Sequence, residues 1–315
     1  MKDKKKNTIP VNWARWGLVS SFLARKLKTA APPILVFSLP RSGSSWVGEI
    51  LGSASNALYL REPMTQSNLA LDKSQPAEIY IDPIEPLQTY QRFADMTFNG
   101  IPIFHKDIVI YPKQWSLLER KNRRLVIKEV NPLACDWLIQ RYKPRVIFLV
   151  RHPAAVALSY LKLGWINTNI KSMFFSNQRL IRYPLKQWEK HLMSITSDFW
   201  ERQGAMQGAV LRFALESLKT YSDYKIILYE DLCSNPVEIF QGLFDFSSLF
   251  WSEETQKLTI ERSSGGDKSQ LYSTSRSSKN MIDSWREKLS YEELNRLKNA
   301  YCVFDLPWYK SSCDW

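Results

Sequence analysis

Short runs of apolar residues recur along the chain from about residue 33 onward. The clearest are Ile34–Leu39, Leu125–Val130, Val146–Val150 and Lys225–Tyr229, which are rich in aliphatic and β-branched side chains. Several of these runs precede a stretch whose apolar residues recur at helical spacing. Continuous apolar strands of this kind belong to parallel sheets that are covered on both faces. The pattern therefore predicts an α/β domain with a central parallel sheet between layers of helices.

The first 31 residues differ in composition from the rest of the chain. Their large apolar residues recur at steps of three and four, with arginines and lysines elsewhere on the helical wheel. This spacing predicts a basic amphipathic helix that ends before Pro32. Two roles are open for residues 13–29, namely packing on the following domain, which is favoured, and peripheral contact with an anionic membrane surface. The apolar positions are Trp13, Trp16, Val19, Leu23 and Leu27.

Two further segments stand out within the predicted domain, which spans residues 32–315. Residues 164–221 are helical in pattern and rich in Trp, Phe and Arg, which predicts a helical cap beside the sheet. Residues 262–280 are polar and rich in Ser and Gly, which predicts a loop. A loop of that length in a compact domain is often a lid or a binding segment.

Composition narrows the class of protein. The chain has 315 residues, of which 44% are hydrophobic and 23% charged, so it can bury a substantial core. Its longest apolar runs are far shorter than the roughly 18 residues that a membrane-spanning helix needs. The start of the chain lacks the pattern of a secretory signal, and the few cysteines suit a reducing compartment. A cytoplasmic protein, with the peripheral membrane contact left open, is expected.

Charge and cysteine spacing add two expectations. The 43 Lys and Arg residues outnumber the 31 Asp and Glu residues, which gives a net charge of +12 and favours anionic partners such as phosphate esters, acidic sugars, nucleic acid or an acidic membrane. The cysteines form no CxxC pair and no His/Cys cluster with zinc spacing, so no structural metal is expected.

The sharpest local motif lies directly after the first predicted strand. The sequence Arg41-Ser42-Gly43-Ser44-Ser45 leads into a helix with apolar periodicity. A strand that turns tightly into a helix leaves amide N–H groups unpaired at the positive end of the helix dipole, and anions bind there. Gly43 lets the backbone approach a phosphate closely, the serine hydroxyls add donors, and Arg41 adds a forked cation. The alternative is an ordinary serine-capped helix start.

A second turn of the same kind follows a later strand. Arg151 comes directly after the strand Val146–Val150, Pro153 suits the first turn of the next helix, and Ser159 lies within that helix. An isolated arginine at a strand end is more often a surface ion-pair partner. Two such turns, each between a strand and a helix, instead favour a shared anionic ligand.

The two turns together resemble the phosphate-binding segments of the sulfotransferases that use 3′-phosphoadenosine 5′-phosphosulfate (PAPS). Carbohydrate-type and many bacterial members carry Arg-Ser-Gly-Ser-Ser in the first turn, as this chain does. The resemblance covers residues 33–290 and implies a three-layer P-loop-like fold, PAPS as co-substrate and PAP, the desulfated nucleotide, as product. The first turn departs from Walker A because it lacks the Gly-Lys-Ser/Thr that binds magnesium, so no metal is expected.

The resemblance also implies roles for single residues. Residues 41–45 would bind the 5′-phosphosulfate, and Arg151 with Ser159 would bind the 3′-phosphate. Trp46 matches a tryptophan that stacks on adenine, although a tryptophan at a helix start is also a common core residue. Tyr229, in a Tyr-Glu-Asp-Leu segment, matches a tyrosine near the adenine, and its alternative is an ordinary strand end. The residues that resemble the family's late basic loop over the 3′-phosphate are Arg276 and Lys279.

Transfer of a sulfuryl group requires positive charge at the departing phosphate oxygen. Arg41 would supply that charge. Lys128, near the end of its predicted strand, would hold the sulfuryl oxygens, and its alternative is a solvated lysine.

The acceptor hydroxyl must also lose a proton to a base. Glu62, which Pro63 follows, matches the Glu-Pro of carbohydrate sulfotransferases, in which that glutamate is the proposed base, and it is favoured here. Its alternative role is an ion pair with Arg61. The rival bases are His105 and Glu129.

The sequence therefore predicts metal-independent, in-line transfer of a sulfuryl group from PAPS to an acceptor hydroxyl. The Arg-Ser-Gly-Ser-Ser and Glu-Pro features, an aromatic content of 13%, and the basic charge, which suits a polyanionic glycan, favour a carbohydrate or glycan-like acceptor, while lipid, phenolic and peptide-scaffold acceptors stay open. No nucleic-acid partner is expected. The alternatives are a P-loop nucleotide kinase, which would require magnesium, and a non-catalytic anion- or nucleic-acid-binding protein.

Overall fold

One parallel sheet organises the computed structural model, which describes residues 11–71, 78–264 and 282–315. All of its pairings are parallel, and the strand order is β2-β3-β1-β4-β5. This confirms the prediction of an α/β fold with a central parallel sheet. The strands are β1 (Ala30–Ser38), β2 (Ala57–Arg61), β3 (Arg124–Glu129), β4 (Arg145–Val150) and β5 (Tyr224–Leu228).

Helices occupy most of the remaining described residues. The α-helices are α1 (Leu18–Lys26), α2 (Ser44–Gly52), α3 (Pro63–Leu71), α4 (Gln88–Phe98), α5 (Cys135–Tyr142), α6 (Pro153–Lys162), α7 (Ile170–Phe175), α8 (Gln178–Arg182), α9 (Glu189–Ser194), α10 (Phe199–Lys219), α11 (Tyr229–Ser234), α12 (Pro236–Ser247), α13 (Glu253–Ser264) and α14 (Tyr291–Cys302). Short 3₁₀ helices lie at Asn12–Trp16, Pro112–Gln114, Arg120–Asn122, Pro132–Ala134, Lys186–Trp188 and Ser312–Asp314. None of the described helices combines the length and the apolar character needed to cross a membrane.

Alternation along β1 explains the layered architecture. Successive side chains of a strand point to opposite faces of the sheet. Ile34 and Val36 pack in the core cluster that includes α2 and α12. Leu35 and Phe37 pack in the other large cluster, which includes α5 and α10. Both faces of β1 are therefore buried from Ile34 to Ser38, and the sheet is the middle of three layers.

The position of β1 determines where a ligand can bind. β1 pairs with β3 on one side and with β4 on the other, and Ser38 lies opposite Leu149. The chain leaves β1 towards β2 at one edge of the sheet and leaves β4 towards β5 at the other edge. In open α/β sheets, ligands bind at the carboxyl ends of the strands where the order reverses in this way. The two predicted anion-binding turns follow these two neighbouring strands.

The N-terminal segment differs from its prediction. A 3₁₀ helix over Asn12–Trp16 is separated from α1 by Gly17, which has φ of +66°, so the prediction of one continuous amphipathic helix is wrong. Trp13 is buried, and its Nε1 donates to the carbonyl of Trp115 at 2.6 Å. This distant partner holds the segment on the domain, while Val19 and Phe22 of α1 remain exposed.

Two other predicted segments have different outcomes in the structure. The range 164–221 contains α7 to α10, but α10 is largely buried and packs in the main core with α14, so it is part of the helical layer. Residues 262–264, which were predicted to begin a loop, form the end of α13. Arg276 and Lys279 lie outside the described residues.

Candidate active site

A cavity of about 1360 Å³ opens at the carboxyl ends of β1, β2, β3 and β4. It lies at the point where the strand order reverses, and it receives residues from both predicted anion-binding turns. The residues singled out from the sequence that line it are Arg41, Gly43, Ser44, Ser45, Trp46, Glu62, Lys128, Arg151 and Tyr229. The fold therefore gathers these separate motifs around one space.

The first turn brings the backbone very close to an aromatic ring. Gly43 has φ of +93°, and a Cβ built on it would lie 2.5 Å from Cδ2 of Tyr229. α2 begins directly afterwards with no side-chain cap hydrogen bond and no acidic residue in its first turn. Its first N–H groups are thus available to an anion in the cavity. Ser44 lines the cavity, whereas Ser42 is buried and is not among the lining residues that the structure describes.

The two turns contact each other directly. Nη1 of Arg151 donates to the carbonyl oxygen of Arg41 at 2.9 Å, and Nε of Arg41 donates to Oγ of Ser159 at 2.9 Å. The guanidinium of Arg151 also lies 4.3 Å from the ring centroid of Tyr229. Groups more than 100 residues apart in sequence therefore form one cationic, aromatic corner of the cavity.

Buried donors in this corner are suited to a ligand that carries hydrogen-bond acceptors. Nε of Arg151 and Nε1 of Trp46 are buried and have no hydrogen-bond partner among the described residues. A buried donor without a partner costs free energy. Trp46 packs edge-on against Tyr229 at 6.4 Å and lines the cavity. Phosphate groups would accept hydrogen bonds from the buried donors, and an aromatic base would pack against the aromatic rings of this corner.

Glu62 and Lys128 form an ion pair at the wall of the cavity. Nζ of Lys128 bonds Oε1 of Glu62, and Gln66 donates to Oε2 at 3.0 Å. Burial alone would raise the pKa of Glu62, but the charge and hydrogen bond of Lys128, the bond from Gln66 and the charge of Arg61 together lower it below its usual value. Glu62 is therefore ionised at neutral pH and can accept a proton.

The two rival bases occupy different environments. Glu129 is fully buried, and its oxygens accept the N–H groups of Met64 and Thr65 at 2.7 and 3.3 Å and the Thr65 hydroxyl at 2.6 Å. It thus caps the start of α3 from a neighbouring strand, as a side chain at an N-cap would. His105 is partly exposed and lies 3.2 Å from Asp107. Neither rival is among the described residues that line the cavity.

Several residues that line the cavity were missed by the sequence analysis. Glu78 accepts a bond from the Tyr160 hydroxyl at 3.3 Å, and burial raises its pKa to about 7. Arg61 and Arg262 add positive charge to the wall. Arg61 directly precedes Glu62, so its place in the sequence could have identified it as a residue of the site. Glu78 belongs to no motif, so only the fold brings it here.

The far wall has a different chemistry. Residues 164–177 contribute an exposed tryptophan, Trp165, and several neutral amide and hydroxyl side chains. No charged side chain of that range lines the cavity in the described structure. The cationic side chains of the lining thus lie outside this range, at Arg41, Arg61, Lys128, Arg151 and Arg262. The described residues contain no group of three His, Cys, Asp or Glu that could hold a metal ion, and the metal-free site stays a prediction.

Replacing Gly43 with alanine should destabilise the protein and weaken binding of PAP. The new methyl would require a positive φ, which costs about 1–2 kcal/mol for an L-residue, and it would also overlap the Tyr229 ring on which Arg151 rests. We expect a loss of about 3 kcal/mol or more in the free energy of unfolding and at least about tenfold weaker PAP binding. Chemical denaturation and calorimetric titration would measure the two effects.

Gly17→Ala is the matched control for this variant. Gly17 also has a positive φ, +66°, but a Cβ there would meet nothing within 4 Å. This variant should show backbone strain without a side-chain clash, and PAP affinity should be normal. Equal losses of PAP affinity in the two variants would contradict a close approach at Gly43.

Comparison with solved structures finds sulfotransferases of low identity. The sulfotransferase domain from the curacin biosynthetic pathway is 16% identical with a TM-score of 0.47, and the alignment covers 86% of this chain and 98% of that one. A mouse sulfotransferase, SULT7A1, solved in complex with PAP, is 14% identical with a TM-score of 0.40, covering 94% of this chain and 92% of that one.

Comparison of sequences identifies the family. Mouse carbohydrate sulfotransferase 2 is 23% identical over 331 aligned positions, which cover 84% of this chain. The chain spans 62% of the length of that relative. The family model of the sulfotransferase domain matches residues 31–303, which include both predicted anion-binding turns and every strand except the first residue of β1. The chain therefore belongs to the sulfotransferase domain family.

Proposed function

We propose that this protein transfers a sulfuryl group from PAPS to a hydroxyl of a carbohydrate or glycan-like acceptor, without a metal ion. The observation that carries the proposal is the direct contact between the two anion-binding turns at one end of the cavity, through Arg151 and the carbonyl of Arg41. A nucleotide with anionic groups at both its 3′ and 5′ positions would use both turns. A ligand with a single phosphate would use one.

The chain's own groups suggest how the nucleotide would be held. Arg151 and Ser159 would bind the 3′-phosphate, and the first N–H groups of α2 with the hydroxyls of Ser44 and Ser45 would bind the 5′ end. The hydrogen bond from Nε of Arg41 to Oγ of Ser159 links the residues proposed for the 5′ end to those proposed for the 3′-phosphate. Trp46 would contact the adenine and supply a donor through Nε1.

Arg41 and Lys128 would stabilise the reaction itself. In the transfer, the bond between sulfur and the bridging phosphate oxygen breaks, and a bond between sulfur and the acceptor oxygen forms on the opposite side. The electron pair of the broken bond stays on the departing phosphate oxygen. Arg41 would face that developing charge, and Lys128 would face the sulfuryl oxygens. Fixed cations in a site with little water stabilise such charge without reorganising.

Glu62 is the proposed base for the acceptor hydroxyl. It lines the cavity, its lowered pKa keeps it ionised, and its other oxygen is oriented by Gln66. The proton leaves the acceptor oxygen and moves to Glu62. Its ion pair with Lys128 places the base next to the cation that would hold the sulfuryl group. Base and electrophile would therefore act side by side.

The chemistry of the far wall supports a carbohydrate acceptor. Sugar rings stack on tryptophan and present hydroxyls that bond amide and hydroxyl side chains, which are the groups that residues 164–177 supply. The name of the mouse relative, a carbohydrate sulfotransferase, points to the same class. No positively charged side chain of that range lines the cavity in the described structure, which favours a neutral glycan over a polyanionic one.

Two measurements test the proposal together. PAP should raise the melting temperature of the protein, and the increase should grow with the logarithm of the PAP concentration once that exceeds the dissociation constant. Labelled sulfate from PAPS should then appear on a neutral oligosaccharide, and EDTA should leave this transfer unchanged. Loss of turnover in EDTA would instead support a magnesium-dependent kinase. Binding of nucleic acid with a steep salt dependence, and no binding of PAP, would support a non-catalytic anion-binding protein.

A further inference from the structure

The turn that carries Arg151 rests on a carboxylate that neither the sequence analysis nor the proposed reaction uses. Oε1 of Glu230 accepts the backbone N–H of His152 at 3.0 Å, and Oε2 accepts the hydroxyl of Tyr309 at 2.7 Å. We refer to Glu230 with these two donors as the Glu230 clasp. It joins three parts of the chain, namely the turn after β4, the start of α11 and the segment after α14.

The side chain of His152 strengthens the same turn. The ring is buried, and its Nδ1 accepts the N–H of Ala154 at 3.2 Å, which caps the start of α6. It stacks on Trp285 with centroids 4.2 Å apart and planes 8° apart, and the ring of Tyr309 meets its edge at 4.7 Å. Burial lowers the pKa of His152 to about 3, so the imidazole stays neutral and Nδ1 remains an acceptor.

Residues after α14 fix the other end of the clasp. Trp315 donates from Nε1 to the carbonyl of Tyr309 at 2.8 Å, and Arg286 donates to the carbonyls of Cys313 and Asp314 at 3.3 and 3.1 Å. Burial and the charge of Glu230 both raise the pKa of the Tyr309 hydroxyl, so it remains protonated and donates. The hydroxyl is thereby held in place by contacts outside the cavity.

The clasp has an electrostatic cost at this location. Glu230 is a carboxylate in direct contact with the turn that would bind a phosphate dianion, and like charges at short range repel. Neither Glu230 nor Tyr309 is among the described residues that line the cavity. By itself, the negative charge of Glu230 would weaken nucleotide binding. Its two hydrogen bonds indicate a positioning role, because they hold the backbone next to Arg151.

We propose that Glu230 and Tyr309 are positioning residues for nucleotide binding, which orient the guanidinium of Arg151 through the backbone of His152. This inference rests on the proposed use of PAPS. Arg151 has an aromatic support in Tyr229 and a backbone acceptor in Arg41, and the clasp fixes the residue that follows it. Tyr309 thus acts on the nucleotide through Glu230, without touching it.

Tyr309→Phe tests the proposal with the smallest change. It removes one hydroxyl and leaves the ring against His152. We expect the dissociation constant for PAP and the KM for PAPS to rise roughly tenfold, the scale of one hydrogen bond to a charged group. Turnover at saturating PAPS should stay within about twofold of wild type, because the reacting groups are unchanged. Calorimetric titration with PAP and steady-state kinetics would measure these values.

Tyr301→Phe is the matched control. Tyr301 is buried against Trp315, 5.8 Å between centroids, and its hydroxyl has no hydrogen-bond partner among the described residues. The control should leave PAP affinity unchanged. A Tyr309→Phe protein whose PAP affinity equals that of this control, with only a lower melting temperature, would overturn the proposal and leave Tyr309 a structural residue.

Glu230→Gln provides the second measurement. If Tyr309 acts through Glu230, the phenylalanine substitution should add little to the loss of PAP affinity in the Glu230→Gln background. Full additivity would overturn the proposed route. A wild-type protein that does not bind PAP would overturn this proposal and the proposed function together. Normal wild-type binding with unchanged affinity in Tyr309→Phe would overturn this one alone.

Discussion

Arg151→Ala should weaken binding of PAP by roughly 10²- to 10⁴-fold. A guanidinium that makes two charge-assisted hydrogen bonds to a phosphate contributes about 1.5–3 kcal/mol through each of them, and alanine removes both. The substitution also removes the bond to the Arg41 carbonyl and the contact with Tyr229, which hold the two turns together. Calorimetric titration with PAP, and the KM for PAPS, would measure the loss.

Arg145→Ala is the matched control for this variant. Arg145 begins the same strand at its opposite end, where its guanidinium donates to the carbonyl of Phe246 at 2.8 Å. Its removal should lower stability while leaving PAP affinity within about twofold of wild type, because Arg151 and the turn after the strand are unchanged. Unchanged PAP affinity in Arg151→Ala would remove the second turn from the nucleotide site.

The sequence allowed four of the five strands and both turns to be predicted because their signals are local, whereas β2 was not predicted. The run before Arg41 and the run before Arg151 are each continuous and apolar, and each is followed at once by a helix start. Whether two such turns meet depends on strand order, which a local pattern does not contain. The resemblance to the sulfotransferase family predicted that the two turns meet. The pairing of Ser38 with Leu149 agrees with this prediction, because it makes β1 and β4 neighbours.

The parts that could not be predicted depend on distant partners. Glu129 was considered as a base, but the fold places it under the first N–H groups of α3, more than 60 residues earlier in the chain. The helical pattern of the N-terminal segment includes Trp13, whose partner Trp115 is 102 residues away. Glu78 lies in the cavity only because the chain returns there before α4. In each case the decisive contact is tertiary, and periodicity does not report it.

Glu62→Gln should cut turnover by roughly 10²-fold or more and leave PAP binding nearly unchanged. The amide keeps the shape of the side chain but cannot take up the acceptor proton, and loss of a general base has effects of this size. It would also weaken the bond with Lys128, which changes from a charged pair to a neutral acceptor. Single-turnover transfer of labelled sulfate, with PAP affinity measured in parallel, would separate chemistry from binding.

The pH profile distinguishes Glu62 from Glu78, another carboxyl group that lines the cavity. A base must be deprotonated, so the rate falls as the pH drops below its pKa. The pKa of Glu62 is lowered, so the wild-type rate should hold as the pH falls from 7 towards the usual range of glutamate. Burial raises the pKa of Glu78 to about 7, so a rate that depended on it would already fall near neutral pH. A fall near pH 7, a large loss of turnover in Glu78→Gln and near-normal turnover in Glu62→Gln would together assign the proton to Glu78.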